Sequence, residues 1–207
     1  MVQLTWPRRL VVICRGETAA EVVLREAEER GCQEVLLEPG ASRSPLSARG
    51  LETAREAGKR LFATAIRPHA VFVAPELAAR QTAVQVLRAI GLELEEDLPA
   101  AHSLISGAKS WGKLGELGFV WPAVRGSAPG TVRVEIWQEE RLRDRDEGAL
   151  LGLTSLGRKK VMAAFRNTPG ILFQRPPGGE SHADVALRSR SFLAELGRHF
   201  AGETLLL

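Results

Sequence analysis

The run Ala70 to Ala74, "AVFVA", stands between Pro68 and Pro75 and is the strongest constraint on what this chain can fold into. A short apolar run bounded by prolines is the pattern of a strand buried on both faces. Leu77 to Ile90 follows with helical spacing and is closed by Gly91. The same succession opens the chain. Leu10 to Ile13 is apolar and ends at a glycine turn, and Ala19 to Arg30 then places Val22, Val23 and Ala27 on one helical face. Residues 47–66 are a further amphipathic helix, with Leu51, Ala54, Ala57, Gly58 and Leu61 as its stripe and Ser47 as its cap. Strands alternating with helices in this way predict a mostly parallel sheet covered on both faces.

Later segments are more varied. Val35 to Leu37 is a short candidate strand, and Val132 to Trp137 alternates as another. Leu156 to Phe165 and Ala183 to Phe200 read as helices, and Glu203 to Leu207 as the start of a buried strand. Residues 106–130 are rich in glycine, carry no steady period, and read as a long loop inserted around 100–130. Its Trp111, Phe119 and Trp121 are costly to leave in water. They form a partner-binding surface or fold back over the domain.

Composition narrows the class. A chain of 207 residues with 44% hydrophobic and 26% charged residues fits one domain, 1–207, with a full core. No apolar run is long enough to span a bilayer, and no secretory leader is apparent. Two cysteines, Cys14 and Cys32, make no disulfide framework and suit an intracellular, reducing compartment, cytoplasmic or organellar. The net charge of +3 is spread among acidic residues, so nucleic acid receives no specific support.

Five segments in order resemble the histidine phosphatase superfamily, the group of the phosphoglycerate mutases. "RLVVICRGETAAEV" (9–22) resembles the opening strand and its Arg-His-Gly-Glu-Thr turn, and "PLSARGLETAREAGKRL" (45–61) the helix that follows. "VAPELAARQTAVQVL" (73–87), "RLRDRDEG" (141–148) and "RPPGGESHADVALRSRSFL" (175–193) are similar to three later signatures. The resemblance implies a three-layer α/β/α sandwich. It also implies covalent phosphoryl transfer by a histidine, two arginines and a second histidine around the phosphate, and a carboxylic general acid.

The residues at those positions do not suit the tasks. Arg15 stands in the place of the nucleophile, and a guanidinium has no free lone pair with which to attack phosphorus. Cys14 replaces the first arginine and Ala78 the second, while Asp144 takes the place of the acid. Arg80 lies about 200° around the helix from Ala78 and is expected to point away. The segment with the second histidine has no counterpart before Leu207, so the sheet is expected to lack its terminal strand and to show an edge or a hole. The framework residues Gly16, Glu17, Thr18, Leu46, Gly50, Ala54, Gln81, Thr82, Ala83, Gly178, Gly179, Glu180 and Ser181 remain.

The expectation is a catalytically inactive member with a structural or protein-binding role in a larger assembly, needing no cofactor. The alternatives are a phosphatase or mutase rebuilt around Asp144 and Arg80, or a phosphate-binding module. For the last, Arg15, Gly16, Glu17, Thr18, Arg80, Glu180 and Ser181 would be an anion-binding remnant. Against that, Arg15 is expected to pair with Glu17, Asp144 or Glu180 and plug the pocket. Cys14 is expected to be a buried, inert thiol. His182 and Asp184 beside Glu180 are expected to serve at the surface or as caps rather than as a metal site.

Overall fold

A computed structural model describes residues 6–37, 44–91, 119–121, 135–163 and 170–207. Five strands form one sheet: β1 (Arg9–Val11), β2 (Ala70–Val73), β3 (Phe119–Trp121), β4 (Glu135–Gln138) and β5 (Thr204–Leu206), in the order β1-β5-β2-β4-β3. The helices are α1 (Ala19–Glu29), α2 (Ala48–Ala63), α3 (Leu77–Ala89), α4 (Ser155–Ala163) and α5 (His182–His199). All strand pairs are parallel except β3 with β4.

The alternation of β2 builds the layers, because successive side chains leave opposite faces of the sheet. Val71 and Val73 join Ile136, Leu206, Leu61, Val86 and Leu87 in a core on the side of α2 and α3. Ala70 and Phe72 join Leu205, Phe192 and Leu196 of α5 on the other. The Phe72 ring meets those of Phe192 and Phe200 edge-on, at centroid distances of 5.3 and 5.4 Å. This is the expected three-layer α/β/α arrangement.

The strand expected over Glu203 to Leu207 is present: residues 204–206 form β5, which pairs with β1 on one side and β2 on the other, and β1 lies at an edge of the sheet among the described residues. Two expectations are corrected. The excursion around 100–130 is not loop throughout, since 119–121 pair with β4 in register Phe119–Gln138, Val120–Trp137 and Trp121–Ile136. Among the described residues Val35 to Leu37 does not enter the sheet, and a single bridge beside it joins Glu34 to Leu153. Trp111 lies outside the described residues, as do the side chains of Phe119 and Trp121.

Candidate functional site

The chain leaves β1, passes Cys14-Arg15-Gly16-Glu17, and enters α1 at Thr18. The turn is held by the start of α2 and by α3. Ser47 N–H donates to the Glu17 carbonyl at 2.8 Å, Ser47 Oγ donates to the Glu17 carboxylate at 2.8 Å, and Leu46 N–H donates to Gln81 Oε1 at 2.7 Å. A Cβ on Gly16 would lie 2.5 Å from the Gly50 carbonyl oxygen, and one on Gly50 would overlap the Glu17 carbonyl. Only glycine permits that approach of two backbones.

The amides at this helix start are taken by the protein itself. Gly16 N–H donates to Thr82 Oγ1 at 3.1 Å, Thr18 N–H to Glu21 Oε2 at 2.8 Å, and Ala20 N–H to Ser44 Oγ at 3.0 Å. Ala19 N–H donates to the Pro45 carbonyl at 2.9 Å, and Glu21 N–H to Thr18 Oγ1 at 3.1 Å. Thr18 and Glu21 thereby close a reciprocal capping box on α1. A helix start binds anions through unspent N–H groups, and these five are spent.

Arg15 lies across the mouth of the turn. Its Nη1 and Nη2 donate to Glu21 at 3.1 and 2.9 Å, and its Nε donates to Asp144 at 3.0 Å. Hydrogen bonding to Glu21 raises the Arg15 pKa most; burial opposes the rise, and the charge of Asp144 adds to it. Burial pushes the Glu21 carboxyl up, but the bonds from Arg15 and Thr18 outweigh it, leaving the group below its ordinary range. The expected set of partners is thus corrected. Asp144 was foreseen, Glu21 was not, and Glu17 binds Arg25 and Ser47 instead. Glu180 is also engaged elsewhere, by Arg143, by Arg188 at 3.2 Å and by the Asp146 amide at 3.1 Å.

Beside Arg15 opens a cavity of about 450 Å³, lined by Ile13, Cys14, Arg15, Glu21, Val73, Glu76, Ala79, Thr82, Ala83, Leu142, Asp144 and Leu207 among others. Helix α3 turns Glu76, Ala79, Ala83 and Val86 toward it. Glu76 Oε1 accepts from the Asp144 amide at 3.0 Å, and burial holds the Glu76 carboxyl above its ordinary value.

The residues singled out in the sequence fall in three places. Arg15, Gly16, Glu17, Thr18 and Asp144 gather at the turn. Ala78 packs against Leu46 and Ala54 and does not line the cavity. Arg80 is 7% exposed, does not line the cavity either, and has its pKa drawn down by burial against the charge of Glu76. Ser181 begins α5 in a capping box with Asp184, whose Oδ2 accepts from the Ser181 amide at 2.8 Å. Arg175 also binds Asp184, and its hydrogen bond together with those from Ser181 holds that carboxyl well below the usual range. His182 is exposed, and no cluster of three metal-binding side chains occurs among the described residues.

Cys14 is exposed rather than buried. Pairing with the last strand continues to Ile13, whose N–H donates to the Leu207 carbonyl at 2.9 Å, and Cys14 follows it. Sequence reasoning also missed Glu21 and Glu76. The spacing Thr18-x-x-Glu21 is a capping-box signal that points to the first. The second follows from the stripe 76, 79, 83, 86, once the facing side of α3 is known.

Residues 126–207 match the model of the histidine phosphatase superfamily (branch 1). The chain as a whole carries the fold of solved phosphatases. It superposes on mycobacterial hydrolase 1 with a TM-score of 0.57 at 22% identity, over 97% of this chain and 74% of that one. On a mycobacterial glucosyl-3-phosphoglycerate phosphatase in complex with VO3 the TM-score is 0.55 at 20% identity, over 96% and 73%. On a putative alpha-ribazole-5'-P phosphatase from Escherichia coli it is 0.56 at 18% identity, over 97% and 72%. No curated protein matches the sequence. Residues 126–207 are thus similar in sequence to the histidine phosphatase superfamily, and the chain is similar in fold to these solved proteins. No helix among the described residues is long and apolar enough to cross a membrane.

Proposed function

We propose that the chain is a non-catalytic relative of the histidine phosphatases, acting as a structural or protein-binding subunit of a larger assembly. The observation that carries the reading is Arg15. It occupies the position aligned with the family's nucleophilic histidine, and its guanidinium is held by Glu21 and Asp144. A protonated guanidinium cannot become a phosphoryl carrier. The charge-stabilising positions support the reading. Ala78 offers no donor, Arg80 does not reach the cavity lining, and Asp144 is occupied by Arg15.

The test is turnover of p-nitrophenyl phosphate by the purified chain beside an Arg15→His variant. The expected result for the unmodified chain is hydrolysis at the blank rate. Turnover well above the blank, or a covalent label after incubation with a phosphodonor, would overturn the proposal in favour of a rebuilt phosphatase. The assembly part is tested by native gel or size exclusion from the source cell, where the chain is expected at a mass above that of a free monomer.

A further inference from the structure

The cavity beside Arg15 has a character that phosphate chemistry does not require. Its accessible wall is apolar, formed by Ile13, Ala79, Ala83, Leu142 and Leu207. Its charged lining consists of Arg15 against three carboxylates, Glu21, Glu76 and Asp144. Among the described lining residues the one cation, Arg15, is already bonded to two of those carboxylates. The helix-start amides that would hold an anion are spent on protein acceptors. A phosphate entering here meets net negative charge and must displace bonds that the protein has made.

We infer that this cavity binds a small organic cation, an amine with an apolar body. About 450 Å³ falls within the range of small-molecule sites, which are mostly apolar with a few placed polar groups. The aliphatic wall accepts the body of such a ligand, and the ammonium group lies toward Glu76 and Asp144. Glu76 is the principal partner. Burial holds its carboxyl above the ordinary value; backbone amides, its own and that of Asp144, oppose the rise, and Arg80, which does not line the cavity, interacts with its charge. A cation in the cavity adds a charged partner on the side that the carboxylate turns to the lining. Glu21 contributes less, since Arg15 and the Thr18 amide already hold both its oxygens. The inference rests on the reading that this cavity carries out no phosphoryl transfer, and its test separates the two.

Thermal melts and calorimetry of the full chain with hexylamine, hexanol, hexanoate and inorganic phosphate compare one body with three head groups, and the biological anion alone. Hexylamine is expected to raise the melting temperature with concentration, as a ligand of the native state does. The other three are expected to leave it unchanged or to shift it less. Glu76→Gln combined with Asp144→Asn is expected to weaken hexylamine about tenfold or more, equivalent to about 1.4 kcal/mol. Ala79→Leu, which fills the cavity without touching its charges, is expected to abolish the effect and guards against a misfolded charge variant.

An equal shift with hexanol or hexanoate, a larger one with phosphate, or none with hexylamine overturns the inference. So does hexylamine binding that survives Ala79→Leu. Phosphatase turnover measured on the same samples decides the non-catalytic reading separately. Indifference to amines without turnover removes only the assignment of the cavity.

Discussion

Arg15 and Glu21 face each other as a two-pronged pair, Nη1 to Oε2 at 3.1 Å and Nη2 to Oε1 at 2.9 Å. The same Glu21 carboxylate takes the Thr18 amide and closes the cap of α1. One side chain therefore sets both the start of the helix and the position of the guanidinium. The side chains are 27% and 43% exposed, which places the pair between the weak surface kind and the buried kind.

A double-mutant cycle with Arg15→Gln and Glu21→Gln measures that pair. The coupling is expected at about 1 kcal/mol, above the median for exposed pairs because the geometry is bidentate. Arg15→Gln alone is expected to lower Tm by about 2–4 °C in a chain of this size. Chemical denaturation of the four species gives the number, and a coupling near zero would show that the pair is incidental.

Gly50→Ala introduces a Cβ that overlaps the Glu17 carbonyl oxygen, a backbone atom without a flexible escape. Relief requires the α2 start to back away from the turn. The expected cost is about 1–3 kcal/mol, read as a lower Tm. Exposed Ala48→Gly on the same helix serves as the comparison and is expected to cost about 1 kcal/mol or less.

Arg141 joins the sheet side to α5. Its Nε donates to Glu139 and its Nη2 to Glu195, both at 2.7 Å, and its guanidinium stands 5.3 Å from the Phe192 ring centroid. The Glu139 side chain is 8% exposed. Arg141→Met keeps the bulk but leaves that carboxylate without its cation, and is expected to destabilise by about 3–5 kcal/mol. Combining it with Glu139→Gln and Glu195→Gln is expected to recover a large share of the loss. Urea melts of the single and triple variants decide it.

Acid should destabilise the chain. For Glu180, burial raises the carboxyl, but the Asp146 amide, Arg188 and Arg143 outweigh it and set it below its ordinary 4.5. Glu195 is held below 4.5 chiefly by the Arg141 hydrogen bond. A carboxyl whose folded pKa is depressed contributes stability fully present above its unfolded value and lost as pH falls through the folded value. Tm is therefore expected to hold above pH 4.5 and to fall as the pH drops below it. Glu180→Gln should lower Tm at neutral pH and flatten the acid slope. Glu76 works in the opposite sense and in a higher window: its folded pKa is raised, so it adds stability as pH falls toward 4.5, and Glu76→Gln is expected to remove that gain and leave the fall below 4.5 in place.

Much of the fold was legible because its signals are local. The apolar run of β2 between two prolines, the Ser47 cap and the stripe of α2 each follow from residues within a turn or two of one another. Residues 119–121 and 204–206 were harder to place. A three-residue strand carries too little pattern to announce its partner, and residues 204–206 find their neighbours far away in the chain, at 9–11 and 70–71. At the site, Gly16-Glu17-Thr18 kept the register and so identified Arg15. Its partners depended on distance in space. Asp144 arrives from a loop that the Glu180 cluster holds in place, and Ala78, placed by motif alone, packs on Leu46 because of the rotation of α3. Cys14 was expected to be buried as the residue that ends the strand, but it faces the clefts on either side of the turn and is exposed.

The position of β5 orders events during synthesis. β1 is made first, yet its described neighbour in the sheet is the strand of residues 204–206, with Leu10 opposite Leu205. While the intervening chain is being made, the first strand has no ladder to join, and its apolar residues depend on helices for cover. Closure across such a separation is slow and leaves a sticky edge exposed in the meantime. A ribosome paused anywhere before residue 204 would hold a chain with its sheet open along the middle.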